Sequence, residues 1–340
     1  EFPNRQLLGE DVIWNGNDDV GYHSSHRILS KGTHLGDGSY GKPTGKDIYY
    51  RVIADCACKN NQVYDEWIVR DQGAMVRQLG FKPKEFAQMI IDKEGGADKA
   101  QQLFNSSSEM KSDYKQSVVP DDSAGGKYSK ILKNIFKNNY DFSDYARAAT
   151  IYWPGNKIGH GREDIEKFWN NLKNTLSDIK FSIEHVGYLE EPDKNPKASI
   201  RWFLEGNHSE DSLDFGEKSN KNIFIMGINH AEIVDGNVIR EWVLFDEVAI
   251  WNQALNSDQI AGLAGAGAAA PGISVVNNGD GTVTVTFDAS EPLDVDTINV
   301  TVAGRPAARP RAVMAHCLSS FVAPVRCTES VKAWSRPRAS

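Results

Sequence analysis

Alternation between apolar and polar residues predicts two groups of β-strands along the chain. Successive side chains of a strand point to opposite faces, so a strand with one buried face alternates in this way. The first group comprises residues 8–14, 23–31, 48–59 and 62–70. The second group comprises residues 147–153, 179–189, 198–205, 222–234 and 237–245. Helical spacing of apolar residues predicts helices at 84–93, 98–104, 128–138 and 162–175.

The two groups of strands end in similar sequences. Residues 66–71 read EWIVRD, and residues 241–246 read EWVLFD. The similarity extends backwards without a gap over 48–63 and 223–238. After one inserted residue, Gly32-Thr33-His34 aligns with Gly206-Asn207-His208. A repeat of this length indicates a duplicated domain.

The order of the elements predicts an α+β fold, a cone in which a long, curled antiparallel sheet wraps around helices. The second repeat has the full order, and Asp235-Gly236 predicts a type I′ turn between its last two strands. The first repeat has only the sheet. A sheet without its helices would expose a concave apolar face, so we expect this repeat to be unstable or completed by a partner.

The two repeats and two shifts in composition divide the chain into five parts. Residues 254–303 contain no Lys or Arg, whereas residues 304–340 contain six Arg and one Lys. The parts are a truncated repeat at 1–80, a helical linker at 81–120, a complete repeat at 121–254, a linker with a short all-β sandwich segment at 255–303, and a basic disordered tail at 304–340.

Charge and composition exclude several classes of function. The net charge of -8 argues against nonspecific binding to nucleic acid or to a membrane surface. The four cysteines show neither zinc spacing nor a disulfide framework. The chain begins at Glu1 rather than Met, which we interpret as an incomplete or processed N-terminus. The cytoplasm is the expected location, with secretion as an alternative.

Three segments resemble the SnoaL-like polyketide cyclases of the nuclear transport factor 2-like superfamily. They are residues 65–80 (DEWIVRDQGAMVRQLG), 153–169 (WPGNKIGHGREDIEKFW) and 215–253, which contains NIFIMGINHAEIVDGNVIREWVLFD. The resemblance covers residues 1–253 as two tandem units. It implies a cone with a deep apolar pocket, in which the founding cyclases perform an intramolecular aldol closure without a cofactor, using an aspartate as acid and base.

A second resemblance meets the first at its end. Residues 245–263 (FDEVAIWNQALNSDQIAGL) are similar to the closing strand and helix of laminin-G-like domains. Residues 245–253 fit both families. We therefore hypothesise that the chain joins two unrelated segments at this point.

Aldol closure needs a base, a donor for the developing oxyanion and an apolar wall. A carboxyl group in a dry pocket has a raised pKa that suits proton exchange near neutral pH. Asp246 matches the family's acid/base position, and Asp71 matches it in the first repeat. Asp is also a common helix N-cap, so Asp246 as the cap of the following helix is the alternative.

Three histidines are candidates for the donor or proton relay, namely His34, His208 and His230. A two-residue turn at 235–236 would pair His230 with Glu241 and Asn229 with Trp242. This register places His230 and Asp246 on opposite faces. It places Trp242, Leu244 and Asp246 together as a wall for a flat ligand.

Three more residues complete the expected substrate contacts, namely Asn229, Trp202 and Trp67. A metal set of His23, His26 and His34 is conceivable, but nothing in the sequence fixes its geometry, so we predict no metal and no cofactor.

Three functions follow from these observations. The first is a cofactor-free cyclase, isomerase or hydrolase that acts on a small apolar, polyketide-like carbonyl compound. The second is a non-enzymatic ligand-binding module or a homo-oligomer formed through the outer sheet face. The third is a secreted adhesion protein, which would need a complete sandwich after residue 245.

Overall fold

The computed structural model describes residues 1–97, 99, 118–137, 139–212, 214–255, 273–277 and 283–287. The described residues up to 255 belong to one compact unit, so both repeats share one body. Apart from residue 99, the second predicted linker helix at 98–104 lies outside the described residues, as do the segment at 256–263 and the tail at 304–340. Within the described part, no helix combines the length and apolar character needed to span a bilayer.

The first repeat is a four-stranded antiparallel sheet followed by two helices. The strands lie in the order β1 (Gln6–Asn17), β2 (Gly21–Thr33), β3 (Asp47–Lys59) and β4 (Gln62–Arg70). The helices are α1 (Gln72–Leu79) and α2 (Pro83–Lys93). All four predicted strands and the first linker helix are confirmed. Each helix starts at a residue that favours a helix start: Asp71 caps α1, and Pro83 opens α2.

The second repeat has the complete cone that its element order predicts. Its elements are α3 (Ala124–Ile135), β5 (Tyr145–Trp153), β6 (Lys157–His160), α4 (Gly161–Thr175), β7 (Leu176–Leu189), β8 (Lys197–His208), β9 (Asn222–Val234), β10 (Asn237–Phe245) and α5 (Glu247–Leu255). The sheet order is β6-β5-β10-β9-β8-β7, with β5 and β10 parallel. Among the described residues, the first repeat has no counterpart of α3, β5, β6 and α4.

The hairpin between β9 and β10 corrects the predicted register. Asp235 and Gly236 both have positive φ, 51° and 80°, as the predicted type I′ turn requires. A bulge at Ile239 then shifts the pairing by one residue, so Trp242 lies opposite His230. The first repeat has its bulge at the equivalent residue, Tyr64. A shift of one residue exchanges the two faces of the strand. Glu241 therefore points to the sheet face on which the register without a bulge would have placed Trp242.

The two sheets pack face to face, and the contact has local two-fold pseudosymmetry. Arg27 lies 3.5 Å above the ring of Trp242, and Arg201 lies 4.5 Å above the ring of Trp67. Arg27 and Arg201 occupy equivalent positions in the two repeats, and so do Trp67 and Trp242. This exchange of equivalent residues is expected for a self-complementary interface. The apolar centre of the contact consists of Ile53, Trp67, Val69, Phe203, Phe224, Met226, Ile228 and Leu244. The outer sheet face of the second repeat is therefore covered inside one chain.

The concave face of the first repeat is less exposed than predicted. Val52, Ala54 and Ile68 at its centre are buried, which corrects the expectation of an open apolar face. Exposed apolar residues remain on β1, where Leu8 is 43% and Trp14 50% exposed. Completion of this repeat by a partner stays a prediction.

Helix α5 belongs to the cone. Gln253 donates to the Phe224 carbonyl at 2.8 Å and accepts from the Phe224 amide at 2.7 Å. These bonds join α5 to β9, so residues 245–255 continue the second repeat. The described residues beyond α5 form one antiparallel hairpin, β11 (Ile273–Asn277) and β12 (Val283–Phe287), in a second unit.

One ion pair gives a stability test of the contact between α1 and α5. Arg77 donates two hydrogen bonds to Glu247, of 2.7 and 2.5 Å, and Glu247 is buried. Arg77→Met would leave a buried carboxylate uncompensated, and we expect the free energy of unfolding to fall by about 2 kcal/mol, since Arg77 is partly exposed. Urea unfolding measures the change. Lys82→Met, which removes an exposed ion pair with Glu85, is the matched control and should change little; equal losses in both variants would contradict the prediction.

Candidate functional site

A buried carboxyl group, that of Glu241, lies at the centre of the concave side of the second repeat. The hydroxyl groups of Tyr128 and Tyr145 donate to it, the latter at 3.1 and 3.2 Å. The Trp169 indole N–H donates at 3.3 Å, and Asn229 Nδ2 approaches at 3.4 Å. Helices α3 and α4 and strands β5, β9 and β10 thus converge on one acid. Glu241 points into the concave side because the bulge at Ile239 turns its side chain inward.

Burial sets the protonation of this cluster. Loss of hydration raises the pKa of Glu241 to about 7, although the hydrogen bonds from Tyr128, Trp169 and Tyr145 oppose the shift. Burial, together with the nearby Glu241 charge, raises the pKa of Tyr128 and Tyr145 well above the ordinary value. Near neutral pH, the site therefore holds an acid that can gain or lose a proton beside two hydroxyl groups that keep theirs.

Asn229 and Trp202 extend the cluster. The Trp202 indole N–H donates to Asn229 Oδ1 at 2.8 Å, and Asn229 Nδ2 donates to the Tyr128 oxygen at 2.9 Å. The tryptophan thus fixes the orientation of the amide, and the amide supports the tyrosine that donates to Glu241. These are the two predicted substrate contacts that lie on the concave side.

Aromatic rings lie between this cluster and the solvent. Phe136 and Phe181 stack at 4.3 Å, and both are half-buried. Phe136 packs against Trp169 at 5.9 Å, and Phe181 packs against Trp202 at 5.9 Å. The two half-buried rings therefore pack on the two tryptophans that hydrogen-bond to this cluster.

The raised pKa of Glu241 predicts a dependence of stability on pH. Its folded pKa, about 7, lies above the ordinary glutamate pKa of 4.5, so the folded state retains a proton that the unfolded state loses. This stabilisation is complete below about pH 4.5 and is lost as pH rises through about 7, a change of about 3 kcal/mol. Urea unfolding at several pH values measures it. Glu241→Gln should reduce the slope of the free energy of unfolding against pH. An unchanged slope would contradict the assignment of this pH dependence to Glu241. A smaller slope of the same sign should remain from Asp246.

The two aspartates predicted as acid/base groups cap helices. Asp246 accepts from the amides of Val248 at 2.9 Å and Ala249 at 3.4 Å, which is the alternative role anticipated from its position. Burial raises its pKa to about 7. Asp71 caps α1 through Ala74 and also accepts from two amides of the second repeat, Gly155 at 2.8 Å and Asn156 at 3.0 Å. Burial raises the pKa of Asp71 as well.

The candidate histidines occupy three separate places. His34 bonds to Thr44 in the loop between β2 and β3, and His208 bonds to Ser219 in the equivalent loop between β8 and β9, both at 3.2 Å. His230 lies between the sheets, where its Nε2 is 2.7 Å from Ser25 Oγ. Within the part of the chain that the structure describes, these histidines and Asp246 do not form one hydrogen-bonded cluster.

The remaining predicted wall residues face the other sheet. Trp242 stacks on Tyr152 at 5.3 Å on the outer face, and Leu244 and Trp67 belong to the apolar centre between the repeats. The predicted wall is therefore an internal contact.

The site residues that the sequence analysis missed are Glu241, Tyr128, Tyr145 and Trp169. One signal was present, because Glu66 and Glu241 begin both copies of the repeated motif. The bulge that turns Glu241 inward has no such signal.

Comparisons with known proteins agree with this architecture. Residues 138–254 match the SnoaL-like polyketide cyclase family. A candidate SnoaL-like polyketide cyclase from Jannaschia sp. CCS1 is 14% identical, with 42% of this chain and 99% of that chain covered and a TM-score of 0.33. The candidate polyketide cyclase IdmH from Streptomyces antibioticus is 14% identical, with 37% and 94% covered and a TM-score of 0.31. An NTF2-like protein of unknown function from Exiguobacterium sp. 255-15 is 16% identical, with 35% and 98% covered and a TM-score of 0.27. No curated protein sequence matches significantly. The second repeat has the nuclear transport factor 2-like α+β cone.

Proposed function

We propose that the second repeat, which matches the SnoaL-like polyketide cyclase family, is a cofactor-free acid/base enzyme for an apolar carbonyl compound. Glu241 is its proton acceptor and donor. The observation that carries the proposal is the fully buried Glu241 carboxyl, with a pKa raised to about 7, among hydroxyl, indole and amide donors. An acid with a pKa near the working pH is best suited to exchange protons in both directions.

The proton transfers balance within this cluster. The Glu241 carboxylate takes a proton from the carbon next to a carbonyl, and the C–H electrons move into the enolate. The O–H of Tyr145 is suited to stabilise the enolate oxygen, because its high pKa keeps the proton in place. In a cyclisation, the enolate carbon then attacks a second carbonyl of the same molecule, a C–C bond forms, and the new alkoxide takes the proton back from Glu241.

Access to Glu241 requires movement of the aromatic pair Phe136 and Phe181. Both rings are half-buried and lie over Trp169 and Trp202, so a flat apolar ligand that replaces them would contact the same surfaces. Phe181→Ala is expected to strengthen quenching of tryptophan fluorescence by a flat ketone, because it removes one ring from this route. Val63→Ala, at an exposed residue of the first repeat, is the control. Weaker or unchanged quenching would contradict this route.

Proton exchange tests the proposed function without knowledge of the natural product. The full chain is incubated with β-tetralone in heavy water, and loss of the α-proton signal is followed by NMR. We expect exchange faster than in buffer alone. A folded chain that binds the ketone without accelerating exchange would overturn the enzymatic proposal.

That outcome would favour the second candidate, a ligand-binding module. The observation in its favour is the aromatic lining of the cone, in which Trp169 and Trp202 lie 6.5 Å apart and pack against Phe136 and Phe181. A binding module predicts fluorescence quenching that does not change when Glu241 is replaced by Gln.

A further inference from the structure

The pseudosymmetric contact between the sheets is broken at one pair of positions. On one side, Lys197 of the second repeat forms an ion pair of 2.8 Å with Asp11 of the first. At the equivalent positions on the other side, the repeats contribute His23 and His185, whose ring centroids lie 3.4 Å apart. The Lys197–Asp11 pair consists of a cation and an anion that neutralise each other. The imidazoles of His23 and His185 instead offer two nitrogen atoms that can bind a metal ion.

A carboxylate completes this group. The Asp55 Oδ2 atom lies 3.6 Å from His23 Nε2. One ligand atom each from His23, Asp55 and His185 lies within 4.8 Å of the others, and all three side chains are buried. Because His23 and Asp55 belong to the first repeat and His185 to the second, the donor set exists only when the two sheets are packed together.

A second observation points to a ligand here. Among the described residues, three buried oxygen atoms beside the histidines make no hydrogen bond, namely Asn15 Oδ1, Asp55 Oδ2 and Ser199 Oγ. Buried polar atoms of this kind usually bind an ordered water or an ion. Gly187 allows Ser199 to lie close to His23, since a Cβ at this residue would collide with Ser199 Oγ and lie 3.4 Å from His23 Nδ1.

The other oxygen of Asp55 is already oriented. Arg27 NH1 lies 3.2 Å from Nδ1 of His230 and can only donate, so Nδ1 is the acceptor and Nε2 carries the proton. His230 then donates to Ser25 at 2.7 Å, and Ser25 donates to Asp55 Oδ1 at 2.5 Å. The Ser25 hydroxyl therefore donates its hydrogen bond to Asp55 and not to a base, which makes Ser25 unsuited as a nucleophile. It also holds the carboxylate so that Oδ2 faces the two histidines, as outer partners of metal ligands do.

We propose that His23, Asp55 and His185 bind one divalent first-row transition metal ion that links the two repeats. Two imidazoles and a carboxylate are donors that zinc and its neighbours prefer. Metal–ligand bonds of about 2.0–2.2 Å place tetrahedral ligands about 3.4 Å apart, close to the 3.6 Å between His23 Nε2 and Asp55 Oδ2. The Arg201 guanidinium, 3.9 Å from the same oxygen, opposes a second cation, so binding is weaker than in zinc fingers.

Metal titration of the full chain tests this site. The chelator-treated protein is titrated with Zn²⁺ by calorimetry, and with Co²⁺ by visible absorption, which reports on the coordination geometry. Mg²⁺ serves as the cation that this donor set should reject. We expect one Zn²⁺ per chain, a tetrahedral Co²⁺ spectrum and a rise in the thermal midpoint, because the metal binds only the packed state.

The variants separate this site from other metal-binding residues. His185→Asn and Asp55→Asn should remove the stoichiometric Zn²⁺ and the Co²⁺ spectrum. His26→Asn changes a histidine of the same strand that points to the opposite face, and it should retain both. If either ligand variant unfolds, His23→Asn, which removes the third ligand, should still abolish stoichiometric Zn²⁺ binding. A folded wild-type chain that binds no Zn²⁺, or binds it equally well in all variants, would overturn the proposal and leave a water-filled polar cluster.

Discussion

Glu241→Gln is expected to slow the α-proton exchange of β-tetralone by about 10²–10⁴-fold, the usual contribution of a general base. Glutamine keeps the size of the side chain and one oxygen for the Trp169 N–H, while Tyr128 can turn its hydroxyl to accept from the new amide. The fold should therefore persist. What is lost is the one group of the cluster whose pKa, about 7, allows proton exchange near neutral pH.

The dependence of the exchange rate on pH strengthens this test. With Glu241 as the base, the wild-type rate should rise through about pH 7 as the carboxyl loses its proton, and the variant should lack this step. Because Asp246 also has a pKa raised to about 7, Asp246→Asn is the necessary matched variant. We expect it to retain most of the activity, since its carboxyl caps α5. If Asp246→Asn abolishes exchange and Glu241→Gln does not, the aspartate is the base, as the family resemblance implied.

Leu244→Ala is expected to lower the free energy of unfolding by about 2–5 kcal/mol, the usual cost of removing a buried leucine side chain. Leu244 is 3% exposed and packs between the two sheets with Trp67 and Phe203. Since the described residues of both repeats form one compact unit, the loss should appear in a single unfolding transition.

Urea unfolding and fluorescence quenching by β-tetralone together decide the role of Leu244. The control is Val63→Ala, at a residue that is 44% exposed, which should change neither measurement. A Leu244→Ala variant with normal stability but weakened ligand binding would contradict the internal packing and support the pocket wall expected from the unbulged register.

The sequence was sufficient for the secondary structure and for the duplication. Alternation of apolar residues located every strand of both repeats except β6, whereas helix α1 was not predicted. The cap residue Asp246 and the turn at Asp235-Gly236 act where local chemistry indicated. These features depend on residues close together in the chain, so their physics is visible in a short window. The α+β cone followed from the order of those elements.

The location of the chemistry was decided by the tertiary structure. One extra residue in β10, Ile239, exchanges the two faces of the strand and sends Glu241 inward and Trp242 outward. The pKa of Glu241 then depends on burial by helices that lie far away in the sequence. The packing of the two repeats likewise joins Asp55 to His185 and Ser25 to His230, pairs that no local pattern could indicate. The sequence by itself determined which elements form, and only the packed chain decided which side chains meet, because burial and hydrogen bonding act between residues that folding brings together.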